Sequence, residues 1–352
     1  MADLTNSLLE QVRQALAEGT QLNLRGGNSK PFMGRQAKGE PLRLAGHSGI
    51  IGYQPVELVL TARAGTPLTD IQATLAEQGQ MLACDPPLFG GQATLGGTLA
   101  CHLSGPGRPW TGSIRDHLLG LKLINGRGEH LRFGGQVMKN VAGYDVSRLQ
   151  AGAMGTLGVI TELSLKVMPV PDRTLTLVRE MDADTALAEM NRLAGQPKPL
   201  TAACWLDHHL YLRLSGAASA VEGTARTWPG DIMEDGEAFW QQLREQQLAF
   251  FAGEAPLWRF SVKPTAAHAL PDAPWLLDWG GSQRWLRGEF ERVKLEALAD
   301  AAGGQVSLYR GGNRLGEVLH SLPVPMQQLQ RRLKAALDPQ GIFNPGRLYG
   351  WL

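Results

Sequence analysis

The sequence predicts an α+β protein. A two-lobed first domain covers residues 1–170, a second domain of antiparallel sheet and helices covers 171–324, and a terminal helix and tail cover 325–352. Three observations lead there. At 352 residues the chain exceeds what one typical hydrophobic core organises. Pro169-Val170-Pro171-Asp172 interrupts regular structure, and the spacing of apolar residues changes beyond it. Glycine, at 43 residues, is far above its usual share without a collagen period, and it recurs in blocks between Leu95 and Val159.

The elements follow in order. Ser7-Leu8-Leu9-Glu10 reads as a capping box, with Leu8, Val12 and Leu16 at helical spacing and Gly19 as the stop. A short strand, residues 21–24, leads into Arg25-Gly26-Gly27-Asn28-Ser29-Lys30. Successive N–H groups in such a turn form an anion-binding nest, and Arg25 and Lys30 add charge beside it. Residues 57–62 read as a buried strand. Thr66-Pro67 caps a helix with Leu68, Ile71 and Leu75 on one face, and residues 81–84 form the next strand. Residues 110–115 continue as loop. Residues 118–124 and 129–133 flank Asn125-Gly126, a hairpin signal. A short helix over 140–149 brings Tyr144 and Asp145 toward the cleft, and Leu163, Leu165 and Val167 alternate with polar residues as in a half-buried strand.

Beyond Asp172 come a strand (174–179), a helix (184–193), two strands (202–206 and 210–214) turning at Asp207-His208-His209, and a helical segment reaching Thr227. An amphipathic helix around Phe239, Trp240, Leu243 and Leu248 follows. Strands at 257–262, 275–279 and 305–309 and a helix at 289–301 complete a two-layer antiparallel domain with helices on one face, of ferredoxin-like kind. The helix 326–337 precedes an extended tail, 340–347, that folds back on the first domain.

Composition narrows the function. A net charge of +1 supplies no basic field to recruit nucleic acid or an anionic membrane. Cys84, Cys101 and Cys204 have no metal-ligand spacing, so no metal site is expected, and three scattered thiols fit a reducing cytoplasm. The polar N-terminus carries no apolar signal core, and no apolar run is long enough to span a bilayer. The sequence lacks GxGxxG after the first strand, GxxxxGK[ST], HExxH and GxSxG. The glycine blocks taken together read instead as several backbone loops gathered around one large, phosphate-bearing ligand.

In their order these loops carry a resemblance. Arg25-Gly26-Gly27-Asn28-Ser29, Pro86-Pro87, Thr94-Leu95-Gly96-Gly97-Thr98, Ser104-Gly105-Pro106 and the run from Met154 to Glu162 resemble the FAD-binding domain of the vanillyl-alcohol oxidase and p-cresol methylhydroxylase (PCMH) superfamily. Asp338 to Arg347 resembles the closing motif of its FAD-linked 2-hydroxyacid oxidase branch. The runs from Phe133 to Arg148, Phe239 to Gln247 and Asp278 to Gly281 are similar to the FAD-binding (E) subunits of bacterial glycolate oxidases, also called glycolate dehydrogenases. The resemblance covers nearly the whole chain and implies a PCMH-type first domain. It implies cofactor contacts from Arg25, Gly26, Gly27, Asn28, Ser29, Pro86, Pro87, Thr94, Gly96, Gly97, Thr98, Ser104, Gly105, Ser113, Asp116, Gly155, Gly158, Val159, Ile160 and, from the tail, Asn344. Some members join His or Cys covalently to the flavin, often through a His in the first Gly-Gly loop. Asn28-Ser29 stand there in this chain, so non-covalent FAD is expected, with Cys101 and His102 as the other attachment candidates.

The second domain departs from the catalytic members of the branch, which carry His-x-Gly-Asp-Gly-Asn and His-Glu-His segments absent here. His208 and His209 read as solvated turn residues. Arg259 is the candidate for holding a substrate carboxylate, with Arg284 and Arg310 behind it, and a surface or structural ion pair is the other reading of each. The resemblance thus implies an FAD-dependent subunit of a complex that oxidises glycolate, or another small 2-hydroxy acid such as D-lactate, to the 2-oxo acid. A catalytic FAD-linked oxidase subunit and an iron–sulfur subunit would be its partners, and the expected place is the cytoplasm, or the inner face of the cell membrane through the complex. Two alternatives stand beside it: a self-sufficient FAD-dependent 2-hydroxyacid dehydrogenase, and a non-catalytic structural subunit. Trp240, Trp258, Trp275, Trp279 and Trp285 are expected in the core, with a partner interface as the other reading.

Overall fold

The computed structural model describes residues 2–135 and 145–352. The chain is mixed helix and antiparallel sheet, as the sequence predicts, and its two ends meet. Helix Thr5–Glu18 buries Leu8, Val12 and Ala15 and stops where Gly19 turns left-handed at φ 67°. Its start corrects the expected capping box. Asp3 Oδ1 accepts the Thr5 N–H at 3.0 Å, so the helix begins earlier and Ser7 lies inside its first turn. Strand Leu22–Arg25 pairs in parallel with Glu40–Arg43, and Phe343 bridges to Leu22 from the far end of the chain. Leu8, Val12, Leu22, Leu42, Ile342 and Phe343 close a small core. Phe343 is 0% exposed, and burying such a ring contributes ~1.5–3 kcal/mol.

A five-stranded antiparallel sheet runs in the order Ile50–Gln54, Val59–Arg63, Val159–Lys166, Leu118–Ile124, His130–Gly134. Its central strand, Val159–Lys166, is covered on both faces, which corrects the half-buried reading. Ser164 is buried and shares a 2.8 Å hydrogen bond with Thr61. Helix Leu68–Ala76 buries Leu68, Ile71 and Leu75 as expected. Thr66 does not cap it: its hydroxyl donates to the Arg63 carbonyl at 2.7 Å and accepts the Gly49 N–H at 2.9 Å, and Pro67 takes the N-cap position. Of residues 81–84 only Met81 lies in a strand, the short Gln80–Met81, paired with Met168–Pro169. Residues 110–115, expected as loop, fall largely in two short helices, Arg108–Thr111 and Ile114–His117. The second is held by a reciprocal capping box of Ser113 and Asp116. Residues 140–144 of the helix expected over 140–149, Tyr144 included, lie outside the described residues; Ser147–Gln150 forms a 3-10 turn.

The second half is one eight-stranded antiparallel sheet in the order Asp231–Ile232, Arg173–Glu180, His209–Gly216, Leu200–Leu206, Trp275–Asp278, Gln283–Arg287, Leu257–Ser261, Gln305–Arg310. The strand period of two divides its residues cleanly. Ala203, Trp205, Leu277, Trp258 and Phe260 face helices Ala183–Ala194, Ala218–Thr227 and Arg292–Ala301. Ala202, Cys204, Leu206, Leu276, Trp285 and Tyr309 face the first half, joined there by Met33 and Leu103. Helix Gly236–Glu245 packs on this second side through Phe239, Trp240 and Leu243, so the helices are not confined to one face. All five tryptophans named above are buried. The halves are pinned by Arg244 on Asp85 at 2.7 Å, by Glu245 accepting the Phe89 N–H at 2.7 Å, and by Trp279 Nε1 donating to the Gly105 carbonyl at 3.0 Å.

Candidate functional site

A cavity of about 580 Å³ lies where the Arg25–Ser29 loop, the helix Leu95–Cys101, the start of strand Val159–Lys166 and the C-terminal tail converge. That volume falls in the range of small-ligand sites, ~300–1,000 Å³. Gly26, Gly27, Asn28 and Ser29 line it. None of their four backbone N–H groups donates to any other group among the described residues. Asn28 sits at φ 53°, which turns the loop so that successive N–H groups diverge from the chain and can converge on an anion. Gly26, Gly27 and Ser29 are half-buried and Asn28 is exposed, so water reaches these donors when no ligand is bound, and a bound anion would take its place. A row of four on a cavity wall therefore points to a ligand rich in acceptors.

Charge agrees. Arg25, Lys30, Arg35, Arg314 and Arg347 line the cavity, and among the described residues no Asp or Glu does. Burial pushes the Arg314 guanidinium down to about 10, with Arg347 adding repulsion, and burial likewise lowers Lys30 and Arg347. An anion in the cavity relieves these costs. Lys30 Nζ is positioned by the Ser29 hydroxyl at 3.0 Å and by the Phe89 ring, 5.6 Å from its centroid. Arg347 Nη1 donates to the Arg35 carbonyl at 2.7 Å, and Arg314 holds the Phe32 and Gly34 carbonyls. The remaining wall is apolar or small, from Leu24, Ala64, Gly96, Ala100, Cys101, Met154 and Val159. Such a mixture suits a ligand with a phosphate portion and flat rings.

The tail completes the wall. Asn344 Oδ1 accepts the Leu24 N–H at 2.8 Å, and its Nδ2 donates to the Met154 carbonyl at 2.6 Å. Beneath it, Lys334 Nζ donates to Asp338 Oδ2 at 2.6 Å, to the Thr156 carbonyl at 2.7 Å and to the Phe343 carbonyl at 2.8 Å. The glycines have steric reasons as well. A Cβ on Gly27 would stand 1.7 Å from the Gln92 carbonyl oxygen.

Of the residues that the sequence singles out, Arg25, Gly26, Gly27, Asn28, Ser29, Thr94, Gly96, Gly97, Gly155, Gly158, Val159, Ile160 and Asn344 are gathered on this one cavity. The others lie elsewhere. Pro86 is buried, and the Thr98 hydroxyl is buried on its helix without a partner. Pro87, Ser104 and Gly105 pack against the second half, around a void of about 20 Å³ shared with Arg259 and Asp278. Ser113 and Asp116 sit behind His102: the Ser113 hydroxyl is 3.0 Å from His102 Nε2 and donates to Asp116 Oδ2 at 2.8 Å. Arg259 lines a separate cavity of about 300 Å³. Arg284 is committed to the carbonyls of Ala266, Ala267 and Gly281, and Arg310 to Gln246. His208 is exposed at the hairpin tip. Sequence reasoning does not single out Arg35, Arg314 or Arg108. Each is an isolated basic residue in a loop or a short helix, and only the fold brings it to a cavity.

The fold and the cavity define an FAD-linked oxidoreductase: the donor row, the carboxylate-free cation set and the apolar wall fit the pyrophosphate and rings of FAD. Residues 3–134 match the model of the FAD binding domain. The chain is 46% identical over 350 residues to the glycolate oxidase subunit GlcE of Escherichia coli (strain K12), covering 99% of both chains. It is 32% identical over 129 residues to the glycolate oxidase subunit GlcD of Bacillus subtilis (strain 168), which covers 37% of this chain and 27% of that one. A solved alkyldihydroxyacetonephosphate synthase shares the fold at a TM-score of 0.65 and 17% identity, over 97% of this chain and 74% of the other. The chain belongs to the GlcE family of glycolate oxidase subunits.

Proposed function

We propose that this chain is the FAD-binding subunit of a complex that oxidises glycolate or a similar small 2-hydroxy acid, working beside a catalytic flavoprotein subunit and passing electrons to an iron–sulfur partner. The observation that carries the reading is the row of N–H groups from Gly26 to Ser29, unpaired among the described residues, on a cavity whose described lining holds five cations and no carboxylate. Bound there, FAD supplies the two-electron acceptor that 2-hydroxyacid oxidation requires. The protein's own part is to cradle the pyrophosphate on the 26–29 loop and to close the wall with Asn344. Met154, in the cavity wall, packs on the cluster that Met33 and Leu103 form with Tyr309 of the second sheet. Cys101 lines the cavity with its thiol raised by burial, a poor nucleophile, which supports non-covalent attachment. Among the described residues no group of His, Cys, Asp and Glu could hold a metal. No described helix is long and apolar enough to cross a membrane.

The test is the visible spectrum of the purified chain, before and after anaerobic addition of glycolate together with the other subunits. A flavin spectrum that bleaches only when the complex is assembled supports a redox subunit, and one that bleaches already in the isolated chain favours the self-sufficient dehydrogenase instead. A chain that takes up no flavin even after incubation with FAD refutes it.

A further inference from the structure

Beside the flavin cavity lies a second cavity of about 300 Å³, and the two share Gly34, Cys101 and Met154 in their walls. Among the described residues that line it are two arginines and two histidines, and no carboxylate. Arg108 comes from the short helix of the first half, Arg259 from the strand Leu257–Ser261 of the second. Both guanidiniums stack on Trp279, at 4.6 Å and 5.2 Å from its ring. Arg259 spends one donor, its Nε, on Gln283 at 2.6 Å, and its terminal nitrogens bond to nothing among the described residues. The Arg108 guanidinium has no hydrogen bond at all among them.

Two like charges held together with most donors free is an arrangement that an anion would stabilise. The neighbouring acids do not fill that role directly. Asp116 is bonded to Ser113, and Asp278 is bonded to the Trp279 N–H and to Gln283. Trp279 itself is held at φ 54°, a region that bulky residues rarely adopt, and its ring is fixed by the bond to Gly105.

His102 adds a directional group. Asp116 stays ionised, held low by its bonds to Ser113, so the Ser113 hydroxyl commits its proton to that carboxylate. His102 Nε2 can then only donate to Ser113 Oγ, which fixes the Nε2–H tautomer and leaves a lone pair on Nδ1. Nδ1 has no partner among the described residues, and His102 lines the cavity. Burial and the two arginines push the imidazole down to about 4, so it is neutral at physiological pH.

We propose that this second cavity binds a small 2-hydroxy carboxylate, its carboxylate on the Arg108 and Arg259 guanidiniums and its hydroxyl donating to His102 Nδ1. The inference rests on the reading of the chain as a 2-hydroxyacid oxidase subunit and deepens it. It places acid binding in this chain, in a cavity contiguous with the one assigned to FAD, through residues outside the segments that the other branch members use.

The experiment is a tryptophan fluorescence titration of the full chain with glycolate and with acetate, read whether or not flavin is bound. Trp279, on whose ring both guanidiniums stack, is the reporter. Saturable quenching by glycolate is expected. Arg108→Gln and Arg259→Gln should each weaken it about tenfold or more, the loss for one charged hydrogen-bond pair. Arg259→Lys keeps the charge without the fork and should fall between. His102→Ala should weaken glycolate and leave acetate, which has no hydroxyl, unchanged. No saturable response to glycolate, wild-type affinity in both arginine variants, or an equal effect of His102→Ala on the two acids overturns the site. A flavin-loaded chain that ignores glycolate sinks this inference alone. A chain that takes up no flavin even after incubation with FAD, yet binds glycolate through these residues, sustains it and refutes the cofactor reading instead.

Discussion

Replacing Lys334 with Met tests how the tail is held. Lys334 Nζ makes three hydrogen bonds, to Asp338, Thr156 and Phe343, all between 2.6 and 2.8 Å. The Asp338 side chain is 0% exposed and also accepts the Ile342 and Phe343 N–H groups, at 3.1 and 2.9 Å. Methionine fills much of the same space, so the chief loss is charge pairing. A buried carboxylate left without its cation costs ~3–5 kcal/mol, more than the pair's own net contribution. The variant should lose about that much in equilibrium denaturation of the flavin-free chain. Lys334→Met combined with Asp338→Asn should recover part of it, because the stranded charge is gone. The Phe343 carbonyl and the Asn344 side chain would also lose their seat, so FAD affinity should fall by at least about tenfold, equivalent to ~1.4 kcal/mol. A stability loss under ~1 kcal/mol, the range of a solvent-screened surface pair, would refute the argument. So would a double variant less stable than the single one.

Three further outcomes are expected. Gly27→Ala drives a methyl into the Gln92 carbonyl; it should abolish retention of flavin through gel filtration while the far-ultraviolet circular dichroism stays native. Burial pushes the Asp278 carboxyl from 3.8 up to about 7, so the folded chain keeps a proton that the unfolded chain has released between those values. Stability therefore falls as pH rises through that window and is flat above it, a span of about three units or ~4 kcal/mol at 1.36 kcal/mol each. Asp278→Asn should raise the unfolding midpoint at pH 8, leave it little changed near pH 4 and flatten the profile between. Acid precipitation of the holoprotein should leave all yellow colour in the supernatant, and a flavin peptide in the pellet would refute non-covalent attachment.

Local chemistry wrote much of this molecule into its sequence. The Arg25–Ser29 turn, the hairpin at Asn125 and the helix Ala183–Ala194 are legible because turn residues and period speak for themselves at those places. The strands Ile50–Gln54 and Gln283–Arg287 are not. The first is an edge with no buried alternation, and the second mixes arginines into positions that only the tertiary fold covers. Ser104 and Gly105 resemble a cofactor loop, but Asp85 and Trp279 claim that loop for the interface between halves. A Cβ on Gly105 would meet the Asp85 carbonyl at 2.3 Å. The cation set was invisible for another reason: Arg35, Arg314 and Arg347 are far apart in sequence and share a wall only because the tail returns.

That return sets the order in which the protein matures. Leu22 and Leu24 wait for Phe343 and Asn344, the partners of their exposed edge, through more than three hundred intervening residues. Domains emerging from the ribosome generally fold as they appear, N-terminal part first. Here the first lobe cannot finish its cavity until nearly the whole chain has been made. Closure of the cavity is therefore a late event in the life of the chain, and a chain lacking its last dozen residues keeps Gly26, Gly27, Gly96 and Gly97 but loses the Phe343 and Asn344 contacts that close the wall.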